Sequence, residues 1–126
     1  MVDYNKRIDD YNGRIKVYDK RILECNNLIT FYNKRMMSCI EKIRDDDELI
    51  ITYTKRMADA NKPKIFYQQL ITSCNNRKIT NNKHISNSLK KIELLNKRVK
   101  IYEKRIRADK ESITVFNEKL RLRIKK

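Results

Sequence analysis

Four sets of side chains in this chain have the chemistry to react or ligate: cysteines at 25, 39 and 74, a lone His84, the acidic run Asp45-Asp46-Asp47-Glu48, and tyrosines at 4, 11, 18, 32, 53, 67 and 102. Thiols offer disulfides, the imidazole a metal ligand, the acidic run a cation site, and the rings a platform for base stacking. Spacing argues against each. Three thiols, an odd number, do not make the disulfide framework of a secreted domain. His84 has no Cys or carboxylate at ligand spacing and reads as a surface histidine. The acidic run lacks the alternating ligands and glycine of a calcium loop and reads as a solvated helix face. With one Gly, Gly13, and one Pro, Pro63, there is no glycine-rich phosphate loop. The expectation is a non-enzyme with no catalytic residue, no metal and no cofactor, because a thin rod offers no concave, water-excluding site.

What the tyrosines and cysteines do share is a period of seven. All ten lie in one column, with a second, mostly Ile, column four residues further on. The alternating steps of four and three define a heptad with the tyrosine column at d and the isoleucine column at a. From Ile8 to Leu120, 15 of 17 a positions are apolar, Lys64 and Lys78 excepted, and 13 of 18 d positions from Tyr4 to Arg123 are Tyr, Cys, Leu, Phe or Ala. A short unit, d-e-f-g-a, recurs as Tyr4-Asn-Lys-Arg-Ile8, Tyr18-Asp-Lys-Arg-Ile22, Tyr32-Asn-Lys-Arg-Met36 and Tyr102-Glu-Lys-Arg-Ile106.

Apolar residues at 40% and charged residues at 37% leave too little for a globular interior and enough for a narrow stripe. The fold class is therefore all-α: a long continuous heptad coiled coil, kinked or folded into a helical hairpin near Pro63. As a straight rod it would extend roughly 190 Å at about 1.5 Å per residue. A helix-interior proline costs about 3 kcal/mol, and a turn would free the next helix to take any phase, so the unbroken phase across Pro63 points to the kink. Three regions follow: 1–57, the strongest oligomerising coil; 58–88, weakened by Pro63 and then by an Asn- and Ser-rich stretch over 75–88; and 89–126, a basic coil with a second apolar strip.

An isolated helix draws most of its stability from packing its amphipathic face, so a homo-oligomer, dimer or trimer, is expected. Its seam comprises Tyr4, Ile8, Tyr11, Ile15, Tyr18, Ile22, Cys25, Ile29, Tyr32, Met36, Ile43, Ile50, Tyr53, Ile92, Leu95, Val99, Tyr102, Ile106, Ile113, Phe116 and Leu120. In a parallel dimer each cysteine would face its own copy, but a reducing cytosol favours buried thiols. Tyrosine is too long to sit wholly inside a two-stranded seam. Its hydroxyl must reach the rim, and Arg stacking on the ring is worth about 0.5–1 kcal/mol. Buried rings do not stack on bases.

The g column holds Arg7, Arg14, Arg21, Arg35, Lys42, Arg56, Arg77, Lys91, Arg98, Arg105 and Lys119 and no acid, while e is mostly Asn. Either the Arg stems cover the seam of a homo-oligomer with hydrated heads, or the cations await an acidic coiled-coil partner. A further apolar line at c, Val17, Phe31, Phe66, Leu94, Ile101, Val115 and Leu122, marks a bundle of more helices or a docking strip.

Net charge is +15, and it is lopsided: residues 1–60 carry 12 Lys or Arg against 11 Asp or Glu, and 61–126 carry 19 against 5. The candidates for an anionic partner, nucleic acid or a charged surface, are Lys97, Arg98, Lys104, Arg105, Arg107, Arg121, Arg123, Lys125 and Lys126. No apolar run approaches the ~18–20 residues of a membrane span, and the polar start does not read as a signal peptide, so a cytoplasmic protein is expected.

Arg21-Ile-Leu-Glu-Cys-Asn-Asn27, echoed by Ser73-Cys-Asn-Asn76, resembles the repeats of poxviral A-type inclusion proteins, in which an Arg-rich helical unit carries a Cys followed by polar residues. The resemblance covers about a tenth of the chain; the tyrosine column departs from that family's Leu-rich seam, and no individual site carries over. It implies a coiled-coil viral structural protein that self-associates or tethers virion components, located in the viral factory or virion. The functional expectation is a structural scaffold, with nonspecific binding of nucleic acid or an anionic surface through the basic half as the alternative.

Overall fold

The computed structural model describes residues 3–59 and 63–125, the side chain of Lys125 excepted. Two helices, α1 over Tyr4–Met57 and α2 over Lys64–Lys125, account for nearly all of them. α1 starts on Asp3, whose Oδ1 accepts the Lys6 N–H at 3.1 Å, satisfying one of the orphan donors of the first turn. Hydroxyl residues inside the helices return their protons to the carbonyl four residues back, as Thr54 does to Ile50 at 2.7 Å and Thr114 to Lys110 at 3.0 Å.

The expected kink is a turn. α1 stops at Met57, and Pro63 lies just outside α2, where its carbonyl accepts the Tyr67 N–H at 3.4 Å. A proline at this boundary gives up nothing, because the first N–H groups of a helix have no intrahelical acceptor. Residues 60–62 of the weakened segment lie outside the described residues. The preserved phase misled because either geometry tolerates it.

The chain forms two compact units, one of residues 1–29 with 93–126 and one of residues 30–92. In the first, Tyr4 stacks on Phe116 with ring centroids 5.5 Å apart and Tyr18 on Tyr102 at 5.8 Å. One number rises as the other falls, so the two helical segments run antiparallel. Phe116 also stacks on Tyr11 at 5.9 Å, which sets it between two d rings and level with Ile8. Each layer thus joins an a residue of one helix to a d residue of the other. The second unit is a helical hairpin in which Tyr53 meets Tyr67 at 6.0 Å.

Within both units every a and d residue from Tyr4 to Met57 and from Tyr67 to Leu120 is buried or half-buried. Among the described residues outside those columns, only Leu70, His84 and Ser112, all at g, are shielded. The stripe that was expected to require a second chain is covered by the other helix of the same chain. α2 continues unbroken through 75–88. The two units also divide the chain at other places than 57/58 and 88/89, because antiparallel pairing groups residues by partner and not by sequence neighbourhood.

Gly13 lies on the outer face, where a Cβ would have no heavy atom within 4 Å. Gly13→Ala is therefore expected to raise the unfolding free energy by about 0.5–1 kcal/mol, measured by urea titration. A loss of stability would show that the open space is filled in solution.

Candidate functional site

The g cations have a use that pairing by acids does not reveal. Arg7 lies 5.7 Å from the centroid of Phe116, Arg21 5.8 Å from Tyr102, Arg105 5.8 Å from Tyr18 and Lys119 5.6 Å from Tyr4 in the first unit. Lys91 lies 5.0 Å from Tyr32 in the second. Each of these five g cations caps a d ring of the opposite helix, so the two columns that looked independent form one interface. Long basic stems cover the aromatic seam while their heads stay in water.

Where d is an acid, the same geometry makes an ion pair. Asp46 and Asp109 are the two acids of the d column, and both are buried, at 5% and 4% exposure. Asp46 is held by Arg77, whose Nε and Nη2 donate to Oδ1 at 3.1 and 2.9 Å. Asp46 thus leaves the expected solvated acidic face, since its d position turns it into the seam. Its neighbour Asp47 pairs with Lys78, one of the two basic residues at a. Asp109 is less well served. Arg14 Nε approaches its Oδ2 at 3.4 Å, yet that oxygen has no hydrogen-bond partner among the described residues.

All three cysteines are free and buried. The antiparallel layers place them against other residue types, so none is set opposite a cysteine by register. Cys74, 1% exposed, lies beside Arg77, whose Nη2 is 3.1 Å from its Sγ. Burial pushes this thiol above its ordinary value of 9.0, and nearby Asp46 adds to the shift while Arg77 opposes it. The unfolded chain therefore loses this proton before the folded one does. Stability should fall as pH rises through the ordinary thiol range, and Cys74→Ala should flatten that slope. Thiol-reagent labelling of Cys74 should be slow until the helices open.

Of the anionic-partner candidates, Arg105 caps Tyr18, Arg123 lies 4.4 Å from the Tyr4 centroid, and Arg121 pairs with Glu118. Arg107 shares a groove with Asp19 and Glu103. Lys97, Arg98 and Lys104 are exposed with no acidic partner among the described residues. Lys126 and the side chain of Lys125 lie outside the described residues. The seven whose side chains are described divide between those with contacts inside the first unit and free cations on α2.

The c line is exposed. Val17 is 48% exposed and Val115 50%, with Leu94, Ile101 and Leu122 similar, all in the first unit. Two open grooves adjoin it, one of about 450 Å³ beside Gly13, Val17 and Tyr18 and one of about 430 Å³ beside Ala108, Val115 and Phe116. In the second unit Phe31 and Phe66 are exposed at the same heptad position.

His84 is half-buried, unlike the surface histidine expected, because g lies against the opposite d column. Sequence reasoning also missed Ser88, 3% exposed at d. The signal for Asp46, Ser88 and Asp109 was their place in the d column.

Among the described residues no group of three or more His, Cys, Asp or Glu is placed to hold a metal ion, and no helix is long and apolar enough to cross a membrane. Compared with protein-family models, curated proteins and solved structures, the chain matches none.

Proposed function

We propose that this protein is a non-enzymatic structural scaffold that self-associates and tethers protein partners through the outer c line of its paired helices. One observation carries the reading: the seam is already covered, yet Val17, Leu94, Ile101, Val115 and Leu122 stay about half exposed at heptad-related positions. Scattered surface apolar residues need no explanation. A periodic stripe beside open grooves is the form of an association surface. The resemblance to inclusion-protein repeats supports the same role, a cytoplasmic structural protein of a virus.

The test is solution mass by light scattering across a range of concentration, on the chain and on Leu94→Glu/Ile101→Glu. Self-association predicts a mass above one chain that falls to one chain in the variant with helicity unchanged. A parent that stays a single chain at every concentration rules it out.

A second reading, binding of nucleic acid or an anionic surface, is favoured by the unpaired Lys97, Arg98 and Lys104. Its mark is steep weakening with salt and a shallower salt slope in Lys97→Gln/Arg98→Gln/Lys104→Gln. Apolar association would instead hold or tighten as salt rises.

A further inference from the structure

We propose that the cavity lined by Tyr32, Arg35, His84, Asn87, Ser88 and Lys91 binds a single phosphate group, either inorganic phosphate or the terminal group of a small phosphomonoester. It lies wholly within the unit of residues 30–92 and has a volume of about 80 Å³. A water molecule takes about 30 Å³ in the liquid. The space is therefore larger than one water needs and can admit a tetrahedral oxyanion.

The cavity arises where the capping pattern lacks a ring. The spacing that puts Lys91 over Tyr32 puts Arg35 beside position 88, and Ser88 fills far less volume than tyrosine. Arg35 consequently borders a void where other g cations meet an aromatic face. Lys91, held 5.0 Å from the Tyr32 centroid, borders the same void. No carboxylate lines it, and neither Arg35 nor Lys91 has an acidic partner among the described residues.

The remaining lining groups are donors suited to phosphate oxygens. The Ser88 hydroxyl belongs to a residue 3% exposed and has no hydrogen-bond partner among the described residues. It lines the cavity and is free to bond an oxyanion there. The Asn87 amide, the Tyr32 hydroxyl and a His84 ring N–H add three more. Arg35 brings a planar fork that matches two phosphate oxygens, and Lys91 a compact charge. Two cations balance a group that carries about −1.5 to −2 at neutral pH.

The experiment titrates inorganic phosphate, and separately phosphoserine, into the full chain at constant ionic strength while following the His84 imidazole and Asn87 amide signals by NMR. Saturable shifts confined to these groups are expected. Arg35→Gln or Lys91→Gln should weaken binding about tenfold or more, the loss of one charge-assisted contact, and Ser88→Ala should weaken it less, each with unchanged helicity. Lys20→Gln, which removes an exposed charge at an outer f position in the unit of residues 1–29 and 93–126, should leave affinity unchanged. Saturation by inorganic phosphate alone identifies a free-phosphate site, and saturation by both identifies a phosphomonoester site. Shifts that do not saturate, or an equal loss in Lys20→Gln and Lys91→Gln, overturn the proposal.

Discussion

Truncating Leu95 to alanine is expected to lower the unfolding free energy by about 2–5 kcal/mol, the range for emptying a buried leucine site. Leu95 is 5% exposed, and only Cys25, Cys39, Tyr67, Cys74 and Ile106 among the described apolar residues are buried to a comparable degree. The antiparallel layers set it level with Ile29, within a seam only two helices thick. A paired helix segment has few neighbours to relax into the gap, so the upper part of the range applies. Leu95→Asp goes further, since the g residue set opposite it by the register is Leu28 and not a cation, and should abolish most helicity of the unit formed by 1–29 and 93–126. Ile22→Asp and Ile29→Asp act on the same seam in the same direction. Lys20→Ala and Lys34→Ala, on the outer face, should stay within about 0.5 kcal/mol of the parent. Urea unfolding followed by far-ultraviolet circular dichroism measures all of these. A Leu95→Ala variant as stable as the parent would remove the helix pairing described above.

The second large effect is an asymmetry within one ion pair. Arg77→Leu strips the cation from a carboxylate that is 5% exposed, and should lower the melting temperature sharply because Asp46 keeps its burial and loses its hydrogen bonds. Asp46→Leu removes the other partner with the opposite consequence. The Arg77 side chain is 53% exposed and can return to water, while leucine suits a d position. Asp46→Leu should be neutral or stabilising. Asp109→Leu should stabilise more, because the oxygen nearest Arg14 has no hydrogen bond to lose. Differential melting of the three variants decides it: equal losses for Arg77→Leu and Asp46→Leu would mean the pair contributes by attraction alone. The two buried acids then stand as devices that fix which residues meet, since an Asp slipped by one heptad would face a different g residue.

Much of this was written in the residue order. Ile and Tyr at alternating four- and three-residue steps require helices and name the faces they bury, because 3.6 residues per turn lets only those positions share a side. The d acids, the g cations and the outer c line were all visible as columns. Their roles were not, because a heptad states which residues turn inward and leaves open what they meet. Arg77 and Asp46 are 31 residues apart, and nothing local couples them.

Sequence alone determined helix content, the seam and the uneven charge, since these follow from local periodicity and composition. Tertiary structure decided that the seam closes within one chain, that the chain turns before Pro63, and that g cations of one helix cap d residues of the other. It also decided that the small Ser88 leaves a void bordered by Arg35 and Lys91. These depend on the direction in which the second helix returns, and a seven-residue repeat reads alike in either direction.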